Sequence, residues 1–167
     1  MISDKLLQKL NDQLNYEFYS AQVYLAMAGY CEEKSLPGFA NFFRVQAEEE
    51  RMHAMKFFDF ITSLGQRVNI TGFGTPKNDF VSMVEVFEVS IQHEKEVTAR
   101  IYELSDIALN DREHATMSFL KWFIDEQVEE MDLFDKHLQR LRRINEDSSA
   151  FFMMDDELAK RTLPQQV

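Results

Sequence analysis

Acidic and imidazole side chains recur in this chain at positions where a helix should carry hydrocarbon. In AEEERMHAMKFF, residues 47–58, Glu50 and His53 stand three apart and fall on the same line as Phe57. Residues three or four apart share a helix face. A helix here therefore aims a carboxylate and an imidazole along its aromatic stripe. The same break recurs in three other apolar lines. Glu17 interrupts Leu6, Leu10, Leu14, Tyr24 and Ala28. Glu94 interrupts Val84, Phe87, Ile91 and Ile101. Gln127 and Glu130 interrupt Leu120, Phe123, Phe134 and Leu138.

Buried carboxylates need a partner. An ionised carboxylate taken out of water costs several kcal/mol unless it is compensated, and like charges nearby add to that cost. No Lys or Arg falls on these inward lines at the level of the breaks, which leaves protonation or a bound cation. Oxygen-rich ligation with one imidazole suits iron or manganese, and the lack of thiolates argues against structural zinc. Glu-x-x-His is a di-metal carboxylate device. Alone it is common by chance on an acidic helix; four coincident breaks are much harder to obtain that way. The competing reading places these groups on a solvated face.

The elements that must position them follow from the periodicity. Helices are expected over about Ser3–Glu33, Pro37–Leu64, Phe80–Leu109 and from about His114 to Asn145, an all-α architecture. KSLPGF and NDRE are short turns, so each joins antiparallel neighbours. The 65–79 connection has no such brevity. Fully extended it reaches roughly 50 Å, against about 42 Å for a 28-residue helix, so it can span the bundle and make the second and third helices parallel. Each polar break lies near its helix's midpoint. Aligned helices would bring the breaks together at one level. Asp155 and Asp156 could start a short fifth helix, with Phe151, Phe152 and Leu158 docking on something, another subunit among the candidates. The expected division is a bundle over 1–145 and a hinge with the fifth helix over 146–167.

Composition excludes several classes. The 167 residues carry a net charge of −11 with a pI near 4.8, which disfavours nucleic acid and suits cations. No apolar run approaches the roughly 20 residues that cross a bilayer, so no membrane partner is expected. The single Cys31 fits a reducing cytoplasm. His93, His114 and His137 are expected as surface or satisfied core residues off the level of the cluster. Glu48 should face solvent, and Trp122 should serve core and subunit contacts.

With LNYEFYSAQVY, AEEERMHAMKFFD, HEKE and FIDEQVEEMDLFD in place, nearly the whole chain resembles the bacterial non-haem ferritins. The resemblance implies a ferritin-like four-helix bundle with one long crossover and a short C-terminal fifth helix. It implies a ferroxidase centre in which Glu17, Glu50 and His53 hold the first iron, while Glu50 bridges to a second held with Glu94 and Gln127. Glu130 is within reach and, with Glu49, Glu126 and Glu129, would form a third iron site. Tyr24 matches the tyrosine beside the centre, a candidate electron donor. The implied function is iron storage by oxidising Fe(II) with dioxygen or hydrogen peroxide inside a homo-oligomeric shell of 24 subunits. Haem is not expected, because Arg51 stands where haem-binding relatives have Met after the ligand Glu, and Gln127-x-x-Glu130 replaces a second Glu-x-x-His. The rivals are a di-iron oxidase or peroxidase that protects without bulk storage, and a metal-buffering bundle with no turnover.

Overall fold

The computed structural model describes residues 2–165; Met1 and Gln166–Val167, at the outer ends of the two expected segments, lie outside it. Among the described residues the chain forms five α-helices: α1 (Asp4–Glu33), α2 (Pro37–Ser63), α3 (Met83–Asn110), α4 (His114–Arg142) and α5 (Ser149–Leu158). None of them is long and apolar enough to cross a membrane.

Local chemistry sets the ends. Ser3 accepts a hydrogen bond from the Leu6 N–H and opens α1, while Pro37 occupies the first turn of α2, where its missing N–H costs nothing. α3 begins three residues later than periodicity suggested. Ser82 caps the Glu85 N–H, and the Glu85 carboxylate reaches back to the Val81 N–H, a reciprocal arrangement that fixes the start. α4 closes at Arg142 rather than Asn145.

The core is divided. One apolar cluster contains Val23, Ala47, Phe87 and Phe134; the other contains Leu14, Phe57, Val97 and Phe123. Along each long helix the polar break falls between a member of one cluster and a member of the other. Following the chain, α1 and α4 run from the second cluster to the first, whereas α2 and α3 both run from the first to the second. α2 and α3 are therefore parallel.

The crossover makes this possible by travelling along α1. The Asn11 side chain pairs with the backbone of Arg67 and Asn69, and Asn15 pairs with Asn69 and Thr71. Further on, Phe73 meets Tyr19, and Phe80 packs edge-on against Tyr30 near the far end of α1. These two asparagines satisfy loop backbone groups that would otherwise lie against a helix unpaired. They explain how a segment without regular structure holds one path.

The fifth helix differs from the sequence expectation. It starts at Ser149, capped by Ser148, and Asp155 sits near its end. That carboxylate is turned onto the start of α2, where it accepts from the Phe39 N–H at 2.9 Å. Phe151, Met154 and Leu158 complete the chain's own core, while Phe152 stays exposed. The docking partner of α5 is thus α2. Gly38 permits the contact, because a Cβ there would lie 1.6 Å from the Asp155 carbonyl oxygen. Gly38→Ala is expected to lower stability by about 1–3 kcal/mol through forced displacement of α5. Thermal unfolding of the variant, with an unchanged midpoint as the contrary result, checks this.

Candidate metal centre

Glu17, Glu50, His53, Glu94, Gln127 and Glu130 are all buried, in the layer that separates the two apolar clusters. The coincidence of polar breaks at one level is therefore real. One ligand atom each from Glu17, Glu50 and His53 lie within 4.8 Å of one another, and so do atoms from His53, Glu126 and Glu130.

Neutral donors hold most of the carboxylate oxygens. Gln13 Nε2 donates to Glu17 Oε1 at 2.7 Å, but no N–H or O–H donor reaches Glu17 Oε2, and the Glu17 carboxyl can bond to that of Glu50 only through a shared proton. Glu50 Oε1 accepts from Gln46 Nε2 at 2.9 Å, and its Oε2 lies 3.3 Å from His53 Nδ1. The Tyr24 hydroxyl donates to Glu94 Oε1, and Gln127 Nε2 donates to Glu94 Oε2 at 3.0 Å. Gln46 Nε2 also donates to Glu130 Oε2 at 3.0 Å. The His53 ring stands edge-on to Trp122 and Phe123, which fixes its plane. Trp122 itself is partly exposed.

The Gln and Tyr donors carry no charge, so they orient the acids without neutralising them. Burial pushes the carboxyl of Glu17 well above the carboxylate range, with the negative Glu50 adding to the effect. Burial does the same to Glu50 and Glu130, each reinforced by Glu94. Glu94 is raised by burial and partly restored by its bonds from Tyr24 and Gln127. Desolvation and Glu94 together lift the Tyr24 phenol.

The expected third group is less uniform. Glu49 is buried, Glu126 half-buried and Glu129 exposed. With His53, Glu130 and Arg161 they line one cleft of about 810 Å³. Arg161 brings a cation to this level although the inward helical lines carry none there. It follows α5 and enters from outside the helical lines, placing Nη2 at 3.3 Å from both oxygens of Glu49.

The other side chains resolve simply. Glu48 is at the surface, paired with Arg51 at 3.1 Å. His114 is exposed, and His137 is half-buried against Phe42 and Phe87. His93 was expected away from the cluster, yet it lies beside it, edge-on to Tyr24. It remains a satisfied core residue: Nε2 shares a 2.7 Å hydrogen bond with Ser20, and burial pushes its pKa down to about 4. Gln13 and Gln46 were missed. Their signal was a Gln four residues before each of two inward acids, a spacing that places amide and carboxylate on one face.

Residues 7–144 match the family described as ferritin-like domain. The chain belongs to the ferritin family. It is 46% identical over 166 residues to the bacterial non-heme ferritin of Staphylococcus aureus strain USA300, covering 99% of this chain and 100% of that protein. The Staphylococcus saprophyticus bacterial non-heme ferritin is also 46% identical, over 97% of each chain. Among solved structures, an engineered closed form of the Archaeoglobus fulgidus ferritin superposes with a TM-score of 0.96 at 42% identity, over 98% of this chain and 100% of that one. The open-pore ferritin of the same archaeon gives 0.95 at 42% identity, over 97% and 100%.

Raised carboxyl pKa values carry a definite sign. In the metal-free ferritin, a group whose folded pKa exceeds its unfolded value favours folding below the unfolded value and loses that contribution as pH rises through the folded one. For Glu17 the loss begins near 4.5. Glu17→Gln is therefore expected to stabilise the metal-free protein by about 1–4 kcal/mol at neutral pH and above, with the gain vanishing toward pH 4.5. Calorimetric melting of chelator-treated samples across this range checks it, and a gain that grows on acidification would contradict it.

Proposed function

We propose that this ferritin stores iron: two Fe(II) ions, its substrate, bind in the polar layer and are oxidised, and the Fe(III) collects as mineral inside a shell of 24 copies. The observation that carries this reading is Glu17 Oε2, fully buried, reached by no N–H or O–H donor, and beside Glu50 and His53. Few arrangements tolerate such an atom. Protonation is one, but the raised acids are several and adjacent; a multivalent cation answers all of them together.

In this reading Glu17 and His53 hold one ion, Glu94 and Gln127 the other, and Glu50 is shared. Glu130 lies close enough to assist. Glu49, Glu126 and Glu129 join Glu130 in a third site toward the cleft. Each Fe(II) yields one electron, so a pair reduces dioxygen to hydrogen peroxide, or hydrogen peroxide to water, with two protons taken up in either case. Tyr24, bonded to Glu94, can take the place of one Fe(II) as donor, giving one of the two electrons from its phenol while its proton passes to that carboxylate.

Assembly has support of its own. Leu25, Ile70 and Phe73 are large apolar side chains exposed on α1 and the crossover, and Phe152 and Met153 are exposed on α5. Burying such surface favours association between copies. A reducing cytoplasm suits the free Cys31, and a net charge of −11 per chain favours attraction of cations to the assembly.

Mixing the assembled protein with Fe(II) in air tests the function. Uptake should continue far beyond the two ions per chain that the centre holds; a halt there would instead support an oxidase or peroxidase without storage. Glu17→Ala and Glu94→Ala should each slow the initial oxidation by about 10- to 100-fold. Variants that oxidise at the normal initial rate would leave only a structural or metal-buffering bundle.

A further inference from the structure

The strap that follows α5 ends in a charge placed against the candidate third site. Asn41 on α2 pins it, donating from Nδ2 to the carbonyl oxygens of Leu158 at 3.0 Å, Ala159 at 3.3 Å and Arg161 at 3.0 Å. Arg161 then folds back over α2. Its Nη1 donates to the Phe42 carbonyl oxygen at 3.0 Å, and the guanidinium lies 4.2 Å over the Phe42 ring. Nη2 donates to Gln46 Oε1 at 2.8 Å and faces both Glu49 oxygens. The ion pair is largely shielded, with side-chain exposures of 16% for Arg161 and 10% for Glu49.

Two consequences follow from these contacts. Glu49 offers both of its oxygens to the guanidinium, so a cation arriving there meets a ligand already paired. Gln46, with its oxygen engaged by Arg161, presents Nε2 to Glu50 and Glu130 together. The arrangement leaves Glu50 Oε2 at 3.3 Å from His53 Nδ1 and holds Glu130 at the lining of the cleft.

We propose that Arg161 is a tethered counter-ion of the third site: it occupies the Glu49 position until a metal ion displaces it, and while seated it positions Gln46 between Glu50 and Glu130. The inference rests on the metal-centre reading above and adds a residue that sets how tightly the cleft takes cations. Guanidinium suits the role because it stays charged at every accessible pH and its planar fork matches a carboxylate. Displacement requires the guanidinium to leave Glu49, Gln46 and the Phe42 carbonyl oxygen, and a strap released from Asn41 lets it do so more readily.

Calorimetric titration of the assembled, metal-free protein with Zn²⁺, a redox-inert probe, tests it. The wild type should show a tight class at Glu17, Glu50 and His53, and a weaker class that Glu49→Gln removes. Arg161→Gln should tighten the weaker class about tenfold, the size of one partly buried charge interaction, and shift the tight class by less than about threefold. Arg161→Lys keeps the charge but loses the fork and the stacking on Phe42, so it should tighten the weaker class by less than Arg161→Gln does. Asn41→Ala loosens the strap without altering any charge and should move the weaker class in the same direction as Arg161→Gln, which keeps the test available if that variant folds poorly. An unchanged or weakened second class in natively melting Arg161→Gln and Asn41→Ala overturns the proposal, as does Arg161→Lys behaving like Arg161→Gln. Absence of the tight class in the wild type sinks the metal-centre reading itself, and the counter-ion role falls with it.

Discussion

Negative charge buried at the middle of a bundle is the constraint on which the rest of this structure turns. Five acidic or amide side chains and one imidazole occupy a layer that hydrocarbon could have filled. Their cost is met only in part by the Gln13, Gln46, Gln127 and Tyr24 donors. Hydrogen bonds from neutral groups orient a carboxylate and lower its pKa somewhat, but they do not cancel a Coulomb repulsion. The apolar clusters on either side supply the burial that keeps the layer closed. Core and site are therefore opposed energetically: the bundle is stable because of what flanks the layer, not because of the layer.

This opposition accounts for features that look unrelated. Parallel α2 and α3 bring Glu50 and Glu94 to one level with their apolar neighbours on matching sides, and successive helices that run parallel require a long connection. The connection in turn would leave backbone groups unpaired along α1 without Asn11 and Asn15. At the other end, Asp155 caps α2 from α5 and Gly38 makes room for it. The same docking carries the strap back over α2, which is how Arg161 comes to face Glu49. Site geometry, crossover and C-terminal helix are successive consequences of holding four polar breaks in register.

Much of this is legible in the residues alone, for a physical reason. A helix face repeats every three or four residues, so an acid on an apolar line announces itself within its own helix, and Glu17, Glu50, Glu94 and Glu130 could be read that way. The midpoint rule then aligned them without any knowledge of contacts. What escaped was set by partners distant in sequence. Arg161 meets Glu49 from 112 positions away in sequence and lies on no helical line, so the helical lines alone cannot show that a cation reaches the layer. Acids favour helix starts, so the sequence offers Asp155 as an opener of α5; its carboxylate does serve a helix start, but that of α2. His93 lies beside the Glu94 line and not on it, yet successive residues on a helix differ in height by only about 1.5 Å, which is why it reaches the level of the cluster.

The two halves of the layer are unequal, and this bears on how a cation would enter. Around Glu17, Glu50 and His53 one carboxylate oxygen is reached by no N–H or O–H donor, so a ligand bond there displaces no such donor. Around Glu94 both oxygens are already engaged, by Tyr24 and by Gln127. A cation on that side must compete with two donors, each bond worth about 1.5–3 kcal/mol when the acceptor is charged. Under the proposed reading the Glu17 side gains more from its first ion than the Glu94 side does. Filling one side also lowers the repulsion felt by shared Glu50, which makes the second ion easier to hold. An asymmetry in neutral hydrogen bonds thereby becomes an order of binding, without any difference in the number of acids on the two sides.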